Sequence, residues 1–280
     1  KATWQNTPVA LKDLNLHQLN PEELANFQNE ASIMTPLRHP RIVSLFGATF
    51  TPPYWLVLEL MSKGALYTFL HSLEEIDWPL RIHFAQQIIE GLVYLHSKNI
   101  IHQDLKSMNI LLNENNQAKI ADFGLAKLKS QSQSFSSHRN RNPAGTLAWM
   151  APEILTEEKK ASSQTDMFSY GMILWELASR KVPYEDVNNA QLIMRVTQGR
   201  FPAIPEETPP GFRQLIEGCR SAPETRPTAS AALAQISTWT NPAPQPPLSS
   251  SQNEPPIPSS YQGGLASRDP LLNRVPSQLS

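Results

Sequence analysis

The segment from residue 102 to residue 124, HQDLKSMNILLNENNQAKIADFG, constrains the fold of this 280-residue chain more than any other feature. It places Asp104, Lys106 and Asn109 on one short loop and Asp122 at the start of the next. These side chains can act as a base, a cation and two oxygen ligands for a metal ion. The segment therefore predicts a fold that brings two polar loops together at one site.

Each of these four side chains suits one task in phosphoryl transfer from a Mg-nucleotide to a hydroxyl group. A carboxylate such as Asp104 accepts the proton of the attacking hydroxyl, and Lys106 neutralises charge on the transferred group. Asn109 and Asp122 offer the oxygen ligands that Mg²⁺ prefers. Singly, each residue is more typical of a β-turn rich in Asp and Asn. The ordered set, followed by Ala151-Pro152-Glu153, favours the catalytic interpretation.

On these motifs the chain resembles a eukaryotic-type protein kinase. The resemblance implies an α+β, bilobal fold, with a kinase domain over residues 1–239. Its small, β-rich N-lobe would span residues 1–58, and its large helical C-lobe residues 62–239. Kinases carry a glycine-rich loop, GxGxxGxV, before the strand that holds their lysine. No such motif occurs here, and we expect that the first strand and this loop have been cut away.

The resemblance also assigns residues to the nucleotide site. Lys12, at the end of VALK, is expected to hold the α- and β-phosphates and to pair with Glu30 on the following helix. The adenine would lie between Ala10 and Leu111. Leu58 matches the gatekeeper position behind the adenine, and the hinge whose backbone binds the adenine edge matches Glu59 and Met61. The resemblance implies ATP and Mg²⁺ as cofactors.

Further positions are structural in this family. His102 and Phe123 are expected to stack with Met34 and Leu45 between the lobes, so we assign His102 no catalytic role. In the larger lobe, the resemblance anchors the catalytic loop to Asp166, pairs Glu153 with Arg226, and places Thr146 beside Asp104 and Lys106.

The branch of the family is indicated by a mixture of motifs. Lys106 and Thr146 resemble serine/threonine kinases, whereas GTLAWMAPE and TDMFSYGMILWE resemble tyrosine kinases. This mixture is typical of the tyrosine-kinase-like group, which contains the Raf-like and mixed-lineage kinases. It predicts transfer to Ser or Thr hydroxyls of protein substrates, with dual specificity left open.

One residue departs from the family pattern. Gln103 stands where kinases usually have the arginine of His-Arg-Asp, which holds a phosphorylated residue of the activation loop. An uncharged glutamine cannot form that pair. We therefore expect activity that does not depend on phosphorylation of this loop. The alternative is a weak or inactive pseudokinase that serves as a binding scaffold.

Hydrophobic patterning predicts the secondary structure. The first residues are expected to form the tail of one strand, a turn at Asn6-Thr7-Pro8 and a second strand. A helix is expected to begin at Asn20, where Pro and Glu follow the N-cap. The remaining predicted elements are strands over 41–50 and 55–60, then helices over 80–97, 165–178, 188–198, 210–219 and 228–238.

Composition limits the remaining function classes. The net charge of −1 gives no reason to expect nucleic-acid binding, and the single cysteine fits a reducing, cytoplasmic location. No apolar run is long enough to span a membrane. Residues 240–280 are rich in Pro, Ser and Gln and are expected to be a disordered tail. Pro244-Gln245-Pro246-Pro247 matches PxxP, but a solvated linker is favoured over an SH3 or WW ligand.

Overall fold

A computed structural model describes residues 1–13, 28, 31, 34–49, 51, 54–122 and 147–240. These residues all belong to one compact unit, Lys1–Ala243, and a second unit, Pro244–Ser280, contains none of them. Several predictions on sequence fall outside the described residues: Glu30, Phe123, Thr146, most of the helix expected from Asn20, and the Pro-rich tail with its PxxP motif.

The N-terminal part contains a four-stranded antiparallel sheet with the strand order β1-β2-β4-β3. Its strands are β1 (Ala2–Trp4), β2 (Thr7–Asp13), β3 (Leu45–Ala48) and β4 (Trp55–Glu59). The β1–β2 turn falls at Gln5 and Asn6, whose φ angles are 49° and 62°. Two consecutive residues with positive φ form the tight turn whose twist suits a hairpin. The predicted turn at Asn6-Thr7-Pro8 is therefore wrong, since Thr7 and Pro8 already lie in β2.

The strand predicted over 41–50 is shorter than expected. Only Leu45–Ala48 pairs with β4, and the register shifts between Leu45 and Gly47. Residues 41–43 bond to a different strand instead: the amide of Ile120 donates to the carbonyl of Arg41 (2.8 Å), and the amide of Val43 donates to the carbonyl of Ile120 (2.9 Å). The backbone of residues 41–43 thus links the N-terminal sheet to the strand that contains Ile120.

A second, three-stranded sheet was not predicted. It has the order β5-β6-β7, with β5 at Gly64–Ala65, β6 at Ile110–Leu112 and β7 at Ala118–Ile120. The β6–β7 turn is stabilised by Asn113, whose side-chain oxygen accepts hydrogen bonds from the amides of Asn115 (3.0 Å) and Gln117 (2.9 Å). An antiparallel hairpin returns the chain on itself. The residues just before β6 and just after β7 therefore lie side by side.

Helices make up most of the remainder: α1 (Leu66–Leu70), α2 (Trp78–Ser97), α3 (Pro152–Leu155), α4 (Ser163–Ser179), α5 (Asn189–Thr197), α6 (Pro210–Cys219) and α7 (Ala229–Thr240). The predicted start of α2 at residue 80 was two residues late. Asp77 caps this helix by accepting the amide of Leu80 (3.0 Å), and proline is favoured in the first turn. Helices α1 and α3, and the 3₁₀ turn Ser107–Asn109, were not predicted.

One large apolar core connects the described strands and helices. Helix α4 runs through it, with Met167, Phe168, Tyr170 and Leu174 all fully buried. The order of a β-rich part followed by a helical part confirms the expected α+β fold. None of the helices within the described residues is long and apolar enough to cross a membrane.

Candidate active site

The loop that starts at His102 is fastened to the first turn of α4. Asp166, only 1 % exposed, accepts the amide of His102 at Oδ2 (2.9 Å) and the amide of Gln103 at Oδ1 (3.0 Å). His96 at the end of α2 contributes its Nε2 to the same Oδ2 (2.9 Å). Gln103 has a φ angle of 69°, a strained conformation that these bonds hold in place. Asp166 thus lies where the sequence predicted an anchor.

His102 is completely buried beneath this loop. Its Nδ1 accepts the amide of Asp104 (3.3 Å), so Nε2 carries the proton and donates to the carbonyl of Ala121 (3.0 Å). Burial lowers the pKa of the imidazole and outweighs the raising effect of Asp166 and other acceptors. A neutral ring thus joins the two loops, while the predicted stacking of His102 with Phe123 stays a prediction.

Asp104, Lys106 and Asn109 form one hydrogen-bonded group. Lys106 Nζ lies 3.1 Å from the Asp104 carboxylate. The amide nitrogen of Asn109 donates to the backbone carbonyl of Asp104 (2.7 Å) and to its Oδ2 (3.1 Å). Because the nitrogen of Asn109 is used in this way, the Oδ1 atom is the part of the side chain suited to bind a metal ion.

Lys12 and Asp122 meet at the other side of the site. Lys12 Nζ donates to Asp122 Oδ1 at 2.6 Å, although 110 residues separate the two. Each side chain is 36 % exposed, so solvent screens the pair. Asp122 has a φ angle of 60°, a conformation that costs roughly 1 kcal/mol or more for a residue other than glycine. The predicted partner of Lys12, Glu30, lies outside the described residues.

The β6–β7 hairpin brings these two groups together. Asn109 immediately precedes β6, and Asp122 follows β7 by two residues. The amide of Ala121 donates to the carbonyl of Asn109 at 2.8 Å, so the backbones on either side of the hairpin are in direct contact. The segments that carry the proposed metal ligands Asn109 and Asp122 are therefore neighbours.

A small apolar cluster contains three of the residues predicted to surround the adenine: Leu58, Met61 and Leu111. Val43, Met61 and Ala121 are buried in it, and Leu58 and Leu111 pack against it. Ala10 stands opposite Leu58 in the β2–β4 register. Glu59, for which we expected only a backbone role, also uses its side chain: it accepts Lys119 Nζ (2.5 Å) and the amide of Ser44 (3.2 Å).

Glu153 and Arg226 form a buried, two-pronged ion pair in the helical part. Nη1 of Arg226 donates to Oε1 of Glu153 (2.5 Å) and Nη2 to Oε2 (2.9 Å). Their side chains are 6 % and 1 % exposed, respectively. The guanidinium also lies over the ring of Phe168, 5.1 Å from its centroid. The pair predicted from the sequence is present.

Sequence reasoning missed some of the residues around the site. His96, the second partner of Asp166, lay on a predicted helix, but nothing local marked it. Glu176 was also missed: it is fully buried in α4 and accepts hydrogen bonds from Ser107 and Trp149. A charged residue inside an otherwise apolar helix was the available signal, because such residues are rarely fully buried.

The donor set suits a hard divalent cation held in part by a nucleotide. Within the described residues, no cluster of three His, Cys, Asp or Glu side chains could hold a metal ion by itself. Asn109 and Asp122 instead offer one amide oxygen and one carboxylate. Mg²⁺ is typically bound by few protein oxygens together with phosphates and water. The residues present therefore fit a metal that arrives with a nucleotide.

Comparison with known proteins identifies the class to which this fold and site belong. The sequence model of the family described as protein tyrosine and serine/threonine kinase matches residues 1–236, and the chain belongs to this family. The resemblance predicted from the motifs is thereby confirmed. Members of this family use ATP and a divalent metal in general.

Several relatives of this chain are named as serine/threonine kinases. Over 240 residues, the chain is 37 % identical to serine/threonine-protein kinase STY46 of Arabidopsis thaliana, covering 84 % of this chain and 41 % of the relative. It is 38 % identical over 236 residues to serine/threonine-protein kinase CTR1 of the same plant, covering 81 % and 28 %. It is 35 % identical to the probable serine/threonine-protein kinase drkA of Dictyostelium discoideum, covering 84 % and 36 %. The chain thus spans well under half of these relatives.

Proposed function

We propose that this domain is a serine/threonine protein kinase that transfers the γ-phosphate of ATP to protein hydroxyl groups. The observation that carries the proposal is the junction made by the β6–β7 hairpin. It sets the Asp104–Lys106–Asn109 group beside Asp122, and Asp122 is bonded to Lys12 from the other sheet. The proposed base, the two cations and the two proposed metal ligands therefore lie on segments that this hairpin and the Lys12–Asp122 pair bring together.

Each residue has a distinct task in this scheme. Asp104 accepts the proton of the attacking hydroxyl, and Lys106 balances the charge that develops on the transferred group. Asn109 and Asp122 would hold Mg²⁺, which when bound neutralises charge on the β- and γ-phosphates. Lys12 would hold the α- and β-phosphates of the bound nucleotide.

The apolar cluster supports a nucleotide base as the ligand. Leu58, Met61 and Leu111 belong to one apolar cluster, and Ala10 on β2 pairs with Leu58. A planar, largely apolar adenine gains free energy by leaving water for such surface. The hinge residues Glu59 and Met61 would supply backbone groups to its edge.

Ser/Thr preference is supported by two observations. Lys106, two residues after the base, is the feature that resembles serine/threonine kinases, and it contacts Asp104 directly. The relatives described above are named as serine/threonine kinases. Whether tyrosine is accepted as well is decided by identifying the phosphorylated amino acid.

The test is a phosphotransfer assay with radiolabelled ATP, Mg²⁺ and a generic protein substrate. Wild-type protein should label Ser or Thr, and Asp104→Asn should reduce labelling at least about 100-fold, because the base is replaced by a neutral isostere. Asp186→Asn, an exposed carboxylate away from the site, is the matched control. Equal background labelling by folded wild-type and Asp104→Asn proteins would refute the proposal and favour a binding scaffold.

A further inference from the structure

Arg220 is a buried cation whose hydrogen-bonding capacity is only partly used. It directly follows α6 and is 8 % exposed. Within the described residues, five buried side-chain N or O atoms have no hydrogen-bond partner, and two of these five, Nε and Nη2, belong to Arg220. Both atoms are almost inaccessible to solvent. An unpaired buried donor costs free energy, so such groups are rare in folded proteins and call for an explanation.

The two unpartnered atoms lie on the same edge of the guanidinium group. The Nε–H bond and one N–H bond of Nη2 point in parallel directions, and such an edge binds both oxygens of a carboxylate or phosphate group at once. The third nitrogen, Nη1, is already used, because it donates to the carbonyl of Pro202 (3.0 Å). Arg220 therefore leaves a complete bidentate fork unpaired.

Helix capping does not account for this side chain. A cation at the end of a helix often bonds the last carbonyls of that helix, but the printed bond of Arg220 runs to Pro202 instead. The guanidinium also lies over the ring of Phe201, 5.6 Å from its centroid. Burial lowers the pKa of this guanidinium to about 10, so it stays charged at neutral pH. Residues 201 and 202 thus hold a positive charge in place.

Arg226, which lines the same cavity as Arg220, shows the contrast. Its Nη1 and Nη2 bind the carboxylate of Glu153, and its Nε donates to the carbonyl of Ser221 (2.9 Å). Among the described residues, no carboxylate binds Arg220 as Glu153 binds Arg226. Glu217, one turn earlier in α6, is exposed and acts on Arg220 only through space, by raising its pKa. The described part of the chain therefore supplies no anion for the fork.

The cavity that Arg220 lines has a volume of about 320 Å³. It lies between α3, the end of α5 and the loop after α6, and Val196 and Pro223 give it carbon surface. The other charged residues among its described lining are two acids and two bases: Glu153, Glu158, Lys159 and Arg226. Arg220 therefore gives the cavity its net positive charge. The volume falls at the lower end of the range for small-molecule sites and exceeds the size of one oxyanion.

We propose that Arg220 and this cavity form a binding site for a small organic anion, with its carboxylate or phosphate group on the Nε–Nη2 edge and its apolar body against the cavity wall. The edge turns toward the cavity as the anion binds. Two unpaired donors are then exchanged for two charge-assisted hydrogen bonds, and this exchange favours binding. The site shares no residue with the proposed active site and does not depend on the kinase activity proposed above.

Two probes with the same ring test the site and identify the preferred head group. The wild-type protein is titrated with phenyl phosphate and with benzoate, calorimetry gives Kd, and NMR follows the Nε–H signal of Arg220. We expect saturable binding of at least one probe, with a shift of this signal. Inorganic phosphate lacks the apolar body and should bind at least about tenfold more weakly than phenyl phosphate. Benzyl alcohol, which lacks the charge, should not bind.

Substitutions of Arg220 separate the fork from the charge. Arg220→Lys keeps a positive charge but cannot form two parallel bonds, and we expect Kd to rise about tenfold. Arg220→Met keeps an apolar stem without charge and should raise Kd about 10- to 100-fold. The matched control is Arg213→Met, which alters an arginine of α6 that bonds the carbonyl of Pro205 (2.6 Å) and does not line the cavity. It should bind the probes as wild type does.

Thermal unfolding establishes that each variant is folded. If Arg220→Met does not fold, Arg220→Lys retains the buried charge and still tests the fork. The absence of saturable binding of both probes to the wild type would overturn the inference, and so would equal Kd values in wild type and the folded Arg220 variants. Equal affinity for inorganic phosphate and phenyl phosphate would overturn the organic nature of the ligand. A wild type that binds a probe through Arg220 but lacks phosphotransfer would overturn the proposed function alone.

Discussion

At the scale of single residues, Asp122 combines a strained backbone with a partly exposed ion pair. Its φ angle is 60°, which is unusual for a residue other than glycine. Its carboxylate contacts Lys12, but solvent screens this pair. Little of the stability of the fold should therefore depend on the charge of Asp122. Its proposed importance lies in metal binding.

Asp122→Asn should accordingly abolish phosphotransfer with little effect on folding. The amide keeps the size of the side chain but removes the negative charge that Mg²⁺ needs. We expect activity to fall on the order of 100-fold or more, since a group that stabilises transition-state charge is weakened. Steady-state kinetics and thermal unfolding, with Asp186→Asn as the control, check this. Near wild-type turnover in the Asp122 variant would contradict the metal-binding role.

His102 leads to a prediction about pH. Its lowered pKa means that, below about pH 6.5, the unfolded chain binds a proton that the folded protein does not. If Nδ1 of His102 were also protonated, its N–H would point at the backbone N–H of Asp104, which donates to Nδ1 in the neutral ring. Stability should therefore fall as the pH drops below 6.5, by at most about 1.4 kcal/mol per pH unit for this one group.

Urea unfolding between pH 5 and pH 7.5 measures this slope. His102→Gln, which does not titrate, should show a smaller slope than wild type whatever its absolute stability. His39 also has a pKa lowered by burial, so His39→Gln is the matched comparison, and it should change the slope independently. If the free energy of unfolding changes with pH equally steeply in His102→Gln and in wild type, His102 is not held neutral in the folded protein.

At the scale of secondary structure, the sequence predicted best the elements whose pattern is long and periodic. Helices α4 to α7 lie within two residues of their predicted bounds, because a buried stripe or an all-apolar helix leaves a clear signal. Strands β5, β6 and β7 have only two or three residues each, too few for any period. Their pairing depends on partners far along the chain, such as Gly64 opposite Leu112.

The ends of elements depended on interactions that the local pattern does not contain. The strand expected over 41–50 lost its first residues because Arg41 and Val43 bond to Ile120 instead. Motif residues of the site could be proposed from the sequence because their order along the chain is itself the signal. Glu176 and His96 were missed because their partners, Ser107 and Asp166, are 69 and 70 residues away.

The Glu153–Arg226 pair leads to a prediction about stability, because Glu153 lies in α3 and Arg226 holds it from outside that helix. Arg226→Ala would leave the Glu153 carboxylate buried without its two hydrogen bonds, since both side chains are almost inaccessible. Breaking one side of such a pair costs on the order of 3–5 kcal/mol. Denaturant unfolding should show a loss of that size.

A nearby exposed pair is the control for this measurement. Lys159 contacts Glu224 at the surface, with side chains that are 51 % and 68 % exposed. Lys159→Ala should leave the unfolding midpoint essentially unchanged, because solvent screens such pairs. Equal effects of Arg226→Ala and Lys159→Ala would show that burial does not strengthen the Glu153–Arg226 pair.

At the scale of the whole molecule, α4 is the element to which the site is attached. Through Asp166 it binds the loop carrying the proposed base, and through Ser169 and Glu176 it binds the segment that precedes α3. Hydrogen bonds within the fold thus hold the catalytic loop in place, and these bonds require no phosphate group.

This attachment bears on how the protein is regulated. Gln103 carries no charge with which to hold a phosphorylated residue, and its backbone amide is already bound by Asp166 (3.0 Å). We therefore expect that replacing Ser130, Ser132, Ser134, Ser136 and Ser137 by alanine leaves kcat within about threefold of wild type, a change below 1 kcal/mol in the activation barrier. Treatment of the wild type with a phosphatase should have equally little effect.

Gln103→Arg provides the contrasting variant. It restores a charge that can pair with a phosphorylated residue, so its activity should become sensitive to phosphatase while that of wild type is not. Thermal unfolding establishes that each variant is folded, and Asp104→Asn gives the background rate. If the five-alanine variant is folded but loses most of its activity, or if phosphatase inactivates the wild type, phosphorylation orders this site by a route that does not use residue 103. The hydrogen bonds from α4 would then be insufficient to keep the loop in its active conformation.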